Sequence, residues 1–157
     1  MIGKIPVPII ILITVLIIFS VVLHFTVFGR RVVAIGGNRK AAEASGISYK
    51  KVTIWVYMLS GFIAGLAGIV LTSRISAGQP SGGASYEFKA ITAVAIGGTS
   101  MSGGSGSMLG TIAGMLIVGL LSNGMTLLNI DAYLQQIVEG VVILVAVILD
   151  TTSKKKA

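Results

Sequence analysis

Very few residues in this chain could break or make a bond. Its 157 residues include one histidine, five acidic side chains and no cysteine. Thiolate metal sites and cysteine nucleophiles are therefore excluded, and no nucleophile–His–acid set can be assembled around His24. The carboxylates show no paired spacing for general acid–base work and no metal motif. The stretch Gly97-Gly98-Thr99-Ser100-Met101-Ser102-Gly103-Gly104-Ser105-Gly106-Ser107 invites a phosphate-binding reading, but its spacing refuses it. Gly98 to Gly103 is followed by Gly104 where a P-loop needs lysine, and Gly104, Gly106 and Gly110 leave three residues in the second gap where a dinucleotide fingerprint has two. The stretch reads as a close-packed turn. No catalytic residue, metal or cofactor is expected.

The remaining chemistry is charge, and its placement is informative. Twelve basic residues give a formal charge of +7. They are neither spread over a face nor interleaved with aromatics, so nucleic acid is not the expected partner. Six lie between Arg30 and Lys51, and Lys154, Lys155 and Lys156 close the chain. Clusters at the ends of apolar runs are the positive-inside signature of membrane proteins. Only 11% of residues are charged and 54% are hydrophobic, with a mean hydropathy of +0.96. Soluble domains carry about 25% charge, and disordered chains lack this apolar content. An all-α, multi-pass integral membrane protein is expected.

The elements that position these charges follow from the apolar runs. Ile5 to Phe28 is about 36 Å of helix at ~1.5 Å per residue, enough to cross ~30 Å of hydrocarbon. It is too long for a signal-peptide core and lacks a small-residue cleavage site. Gly29 to Lys51 is a basic loop expected in the cytoplasm. Within it Asn38 is a good N-cap, Arg39 to Ser45 is rich in helix formers, and Gly46 fits the C′ position ahead of Ile47. A two-turn helix capped at both ends is marginal alone, so it is expected to pack against something. A second span covers Val52 to about Thr72, and Ser73 to Tyr86 forms an outside loop. Glu87 to Gly98 is too short to span and suits a broken or re-entrant helix. Spans from about Leu109 to Leu128 and from about Tyr133 to Leu149 complete about four crossings. Parity puts the C-terminus in the cytoplasm only if Glu87–Gly98 crosses or nearly crosses.

Glycines recur at four-residue spacing at Gly61/Gly65 and at Gly106/Gly110/Gly114, which lets helix backbones approach closely in lipid. These faces are expected to pack within the chain, with a dimer seam as the alternative. Glu139 lies a turn or two inside the last span, where an ionisable residue is functional by default unless it is interfacial. Asn123, Gln135 and Gln136, with Asn129, could bond a solute or hold helices together. His24 reads as an interfacial or packed polar group, and Glu87 as a helix N-terminal charge.

Several stretches resemble the membrane permeases of ribose-type ABC importers. They are Gly29-Arg30-Arg31-Val32-Val33-Ala34-Ile35-Gly36-Gly37-Asn38, Ala42-Glu43-Ala44-Ser45-Gly46-Ile47, Gln79-Pro80, Tyr86-Glu87, and Ala90 through Ser100 with its Ile96-Gly97-Gly98-Thr99-Ser100 element. Ser102-Gly103-Gly104, Gly106 through Thr111, Asn123-Gly124, and Gln135-Gln136 through Leu149-Asp150 continue the match. The resemblance covers essentially the whole chain in order. Permeases of this family are about twice as long, and this sequence looks like the C-terminal half of a single transmembrane permease domain.

The resemblance implies a subunit of the bacterial inner membrane that moves a ribose-like monosaccharide and is not itself an enzyme. A separate ATP-binding subunit would hydrolyse ATP, and an extracytoplasmic solute-binding protein would deliver the sugar. A second permease copy or a missing N-terminal half would complete the pathway. The short cytoplasmic helix would dock on the ATPase, with Arg30, Arg31, Asn38, Arg39, Lys40, Glu43, Ser45 and Gly46 as its coupling surface. Asn123, Gln135, Gln136 and Glu139 are the candidate solute contacts. Two other classes stay open: a small oligomer-forming membrane protein without transport, and an ion-coupled carrier using Glu139. The basic loop could instead touch only anionic lipid head groups.

Overall fold

The computed structural model describes residues 6–154. Lys155, Lys156 and the start of the expected first span fall outside them, as does the side chain of Lys154. The described residues form helices and connections, with no strand, in two compact units divided after Gly83.

The first unit opens with α1, Val7–Phe25. Pro8 sits in its first turn, where a missing N–H costs nothing. At 19 residues α1 is about 28 Å long, a membrane thickness. The expected uninterrupted run to Phe28 is not what forms. Thr26 turns extended and divides α1 from α2, Val27–Gly37. Its hydroxyl donates to Val22 O at 2.5 Å and accepts from Gly29 N at 3.3 Å, so one side chain closes the first helix and caps the second. Gly29 is buried there, and a Cβ on it would collide with the Leu23 carbonyl. Much of the expected basic loop is therefore helix.

A second break follows at Asn38, also extended, whose Oδ1 accepts from Ala41 N at 3.1 Å. This caps α3, Arg39–Ala44. Gly46 at φ +82° then donates to Glu43 O, and Ile47 donates to Ala42 O, both at 3.0 Å. These are the two bonds of a Schellman terminus. Ala42 is buried beneath the turn. From Tyr49 the chain runs through α4, Tyr49–Ile75, 27 residues or about 40 Å.

The second unit begins with α5, Tyr86–Ile96, only 11 residues or about 16 Å. Gly98 at φ +76° ends it with another Schellman pair, Gly98 N to Ala95 O and Thr99 N to Val94 O. The glycine–serine turn leads to Ser107, which caps α6, Met108–Leu127, by accepting from Gly110 N at 3.2 Å. Asn129 at φ +54° and Asp131, which accepts from Tyr133 N at 2.8 Å, turn the chain into α7, Ala132–Lys154.

α5 lies antiparallel against α6 with backbones in contact. A Cβ on Gly110 would strike Gly97 O, and one on Gly114 would strike Ala93 O. Ala93 and Gly97 are themselves four apart, so a small-residue face meets a small-residue face. Lys89 on α5 reaches Ser122 on α6. At about 16 Å, α5 itself covers about half the depth of the 20-residue α6.

Among the described residues three helices are long and apolar enough to cross a membrane: α1, α4 and α6. The apolar part of α7, Ala132–Ile148, is shorter but within the ~17–25 residues that suffice. Large apolar side chains point outward along all four, including Ile17, Phe62, Leu120 and Ile137. Water would not tolerate such a surface, whereas lipid requires it. The chain is a polytopic helical membrane protein.

Candidate functional site

The basic region resolves into two separate places. On α3, Arg39 Nε lies 3.1 Å from Glu43 Oε1, and its Cζ sits 3.7 Å above the Tyr49 ring at the start of α4. Both side chains are about half exposed, so the ion pair adds little stability. Its effect is directional: the guanidinium is clamped between its own helix and the next one. A groove of about 370 Å³ at this corner is lined by Arg39, Glu43, Gly46, Ser48, Tyr49 and Lys50, among others. Asn38, Arg39, Lys40, Glu43, Ser45 and Gly46 thus share one short knob, with Lys40 exposed on it.

Arg30 and Arg31 do not belong to that knob. They stand on α2, and Arg31 lines a different groove of about 400 Å³ with Phe28, Lys51, Val52, Trp55 and Leu59. The residues expected to form the coupling surface therefore fall on two helices, with Asn38 breaking the backbone between them.

The glycine series also divide. Gly110 and Gly114 hold α6 against α5, and Gly106 touches the Thr99 side chain. A Cβ on Gly61 or Gly65 would meet nothing within 4 Å, so among the described residues of the first unit this face of α4 is open.

Glu139 proves to be buried, at 3% exposure. Its Oε1 accepts no directed hydrogen bond, and the charge that compensates it is the Lys89 ammonium at 3.5 Å. Lys89 Nζ also donates to Ser122 Oγ at 3.0 Å. One cation on α5 therefore ties together α6 and α7. The other expected solute contacts are elsewhere: Gln135 Nε2 donates to Ile130 O at 2.9 Å, while Asn123 and Gln136 are exposed.

Two residues acquire roles that the sequence reading did not give them. Lys89 is the one cation in its apolar stretch of sequence, and the carboxylate that answers it is Glu139. Asp150 Oδ2 accepts from Ser100 Oγ at 3.2 Å and Met101 N at 3.1 Å, pinning the glycine–serine turn to the end of α7. Among the described residues no group of three His, Asp or Glu side chains could hold a metal ion.

A capped basic knob, a short helix packed beside a membrane-length one and a buried ion pair define a multi-pass helical membrane protein. The chain belongs to the family described as branched-chain amino acid transport system / permease component, whose model matches residues 1–147. It is 51% identical over 146 residues to the ribose import permease protein RbsC of Bacillus subtilis, covering 93% of this chain and 45% of that protein. Against the xylose transport system permease protein XylH of Haemophilus influenzae it is 42% identical, covering 97% and 40%. Against the L-arabinose transport system permease protein AraH of Escherichia coli it is 42% identical, covering 96% and 46%. The chain thus spans less than half the length of these relatives. No solved structure matches it significantly.

Proposed function

We propose that this chain is one stretch of the transmembrane subunit of an ATP-binding cassette importer that carries a ribose-like monosaccharide across the bacterial inner membrane. Residues 1–157 belong in this reading to a single permease domain, whose remainder is supplied by further sequence or a second chain. The identity to a ribose permease, with xylose and arabinose permeases also similar, supports a pentose-class solute. A separate ATP-binding subunit supplies the energy, and an extracytoplasmic binding protein supplies the sugar.

The observation that carries this reading is α3. Six residues cannot hold a helix alone, yet this one is capped at both ends, exposes its charges, and is fastened to α4 through Arg39 and Tyr49. Such a knob transmits force. With α3 facing the cytoplasm, closure of an ATPase dimer pushes it, and the push passes to α4 directly and to α1 through α2 and the Thr26 break. The residues on the contact are Arg39, Lys40 and Glu43, shaped by Asn38, Ser45 and Gly46.

The test is capture of the ATP-binding subunit by the assembled permease. Charge reversal at Arg39 and Glu43 (Arg39→Glu, Glu43→Arg) lowers capture and stimulated ATP hydrolysis several-fold. Capture and hydrolysis unchanged by both reversals count against it. The open Gly61/Gly65 face favours a second reading, an assembly module without transport. Oligomers formed without any partner subunit, and no uptake in the complete assembly, would select that one.

A further inference from the structure

We infer that the first unit carries a binding site for one anionic phospholipid, its headgroup phosphate held by Arg31 and Lys51 and an acyl chain lying between α1 and α4. The inference depends on membrane insertion of α1 and α4 and goes beyond the import reading.

It rests on a stripe along α4 whose chemistry changes with depth. Lys51, Trp55 and Leu59 recur every four residues on one helix face, and Ile63 continues the series. Lys51 sits in the first turn of α4, Trp55 one turn deeper and Leu59 a turn beyond that. A cation, an interfacial aromatic and an aliphatic side chain in that order match a lipid's phosphate, glycerol region and tail. Arg31 supplies a second cation from the first turns of α2, just past the end of α1.

Two cavities share a wall on this stripe at Leu59. The groove at Arg31, Lys51 and Trp55, about 400 Å³, and an apolar cavity of about 480 Å³ between α1 and α4 both include Leu59 in their walls. The deeper cavity is walled by aliphatic and aromatic side chains such as Val15, Phe19, Phe62 and Leu66. Its one polar residue, Thr14, spends its hydroxyl on Ile10 O at 2.8 Å. Nothing there asks for a polar ligand, so a free phosphate or sugar does not explain it.

The charge decides the occupant. No acidic residue lines the headgroup groove, and among the described residues neither Arg31 nor Lys51 forms an ion pair. An apolar helix from elsewhere would fill the tail cavity but make no use of the two exposed cations at its mouth. An anionic lipid satisfies both parts at once, each nearby Lys or Arg strengthening attachment by about fivefold.

The experiment uses the full chain purified in mild detergent, with lipid adducts counted by native mass spectrometry. Phosphatidylglycerol and phosphatidylcholine with identical acyl chains are the probes, and circular dichroism verifies helix content in each variant. Phosphatidylglycerol is expected to be retained in preference. Arg31→Gln and Lys51→Gln each lower its retention about fivefold, and the double variant about 25-fold, while phosphatidylcholine changes little. Arg74→Gln, at the other end of α4, changes neither. Leu59→Trp, which puts a larger side chain on the wall common to both cavities, lowers retention of both lipids. Equal retention of the two lipids, an unaltered double variant, or full displacement by glycerol phosphate overturns the proposal. So does loss of the bound lipid when a complementary membrane half is co-expressed, which gives the groove to a protein helix.

Discussion

Removing the Lys89 ammonium should be among the most costly single changes in the second unit. In the folded chain the nitrogen lies 3.5 Å from Glu139 Oε1 and 3.0 Å from Ser122 Oγ. At an effective dielectric of about 20 the attraction is about 5 kcal/mol before desolvation is subtracted. Lys89 keeps about a third of its side chain exposed, whereas Glu139 is buried, so the carboxylate is the group that suffers when the partner goes. Breaking a buried pair from one side typically costs about 3–5 kcal/mol, and replacing both members by apolar groups costs little. Allowing for the open side of Lys89, Lys89→Met should destabilise by about 2–4 kcal/mol, with Glu139→Leu less damaging because it removes the buried charge itself. The double variant should recover most of the loss. The assay is reversible unfolding in mixed detergent micelles, followed by helical circular dichroism, as a double-mutant cycle. A Lys89→Met loss below about 0.5 kcal/mol, or a double variant as damaged as the sum of the singles, would refute the pair as a compensated buried charge.

Gly114→Ala puts a methyl group into the Ala93 carbonyl and should cost about 2 kcal/mol or more in the same unfolding assay, whereas Gly65→Ala, with open space around it, should stay within about 0.5 kcal/mol. Gly46→Ala must hold a side chain at φ +82° and should cost about 1–2 kcal/mol locally, seen as faster amide exchange across α3. Asp150→Ala releases the turn it pins through Ser100 and Met101, and limited proteolysis should then cut between residues 98 and 107 several-fold faster, with α6 intact.

The long helices were legible because an apolar run of membrane length has few alternatives in water or lipid. Residues 109–128 were read almost as the α6 that forms, and the caps of α3 were readable from Asn38 and Gly46 because capping is local chemistry. The break at Thr26 was not readable. A threonine at the end of an apolar run gives no sign that its hydroxyl will bond both backward and forward, or that Gly29 will press on the Leu23 carbonyl. Gly110 and Gly114 announced a packing face, but the matching pair on the other helix, Ala93 and Gly97, is hidden because alanine is also simply a good helix former. Identical spacing at Gly61 and Gly65 faces open space among the described residues of the first unit, since the spacing states what a face permits and not what occupies it. The Lys89–Glu139 pair joins residues 50 apart in sequence, a relation that no local pattern encodes.

The central claim, that α3 faces the cell interior and is covered by an ATP-binding subunit, can be tested with one labelled residue. Because the chain has no cysteine, a Lys40→Cys variant carries a unique thiol on the exposed side of that helix. A membrane-impermeant maleimide should leave it unmodified in intact cells, modify it in inverted membrane vesicles, and modify it markedly more slowly once the ATP-binding subunit is added. Rapid labelling from outside intact cells, or labelling in vesicles that the added subunit does not slow, would contradict the account.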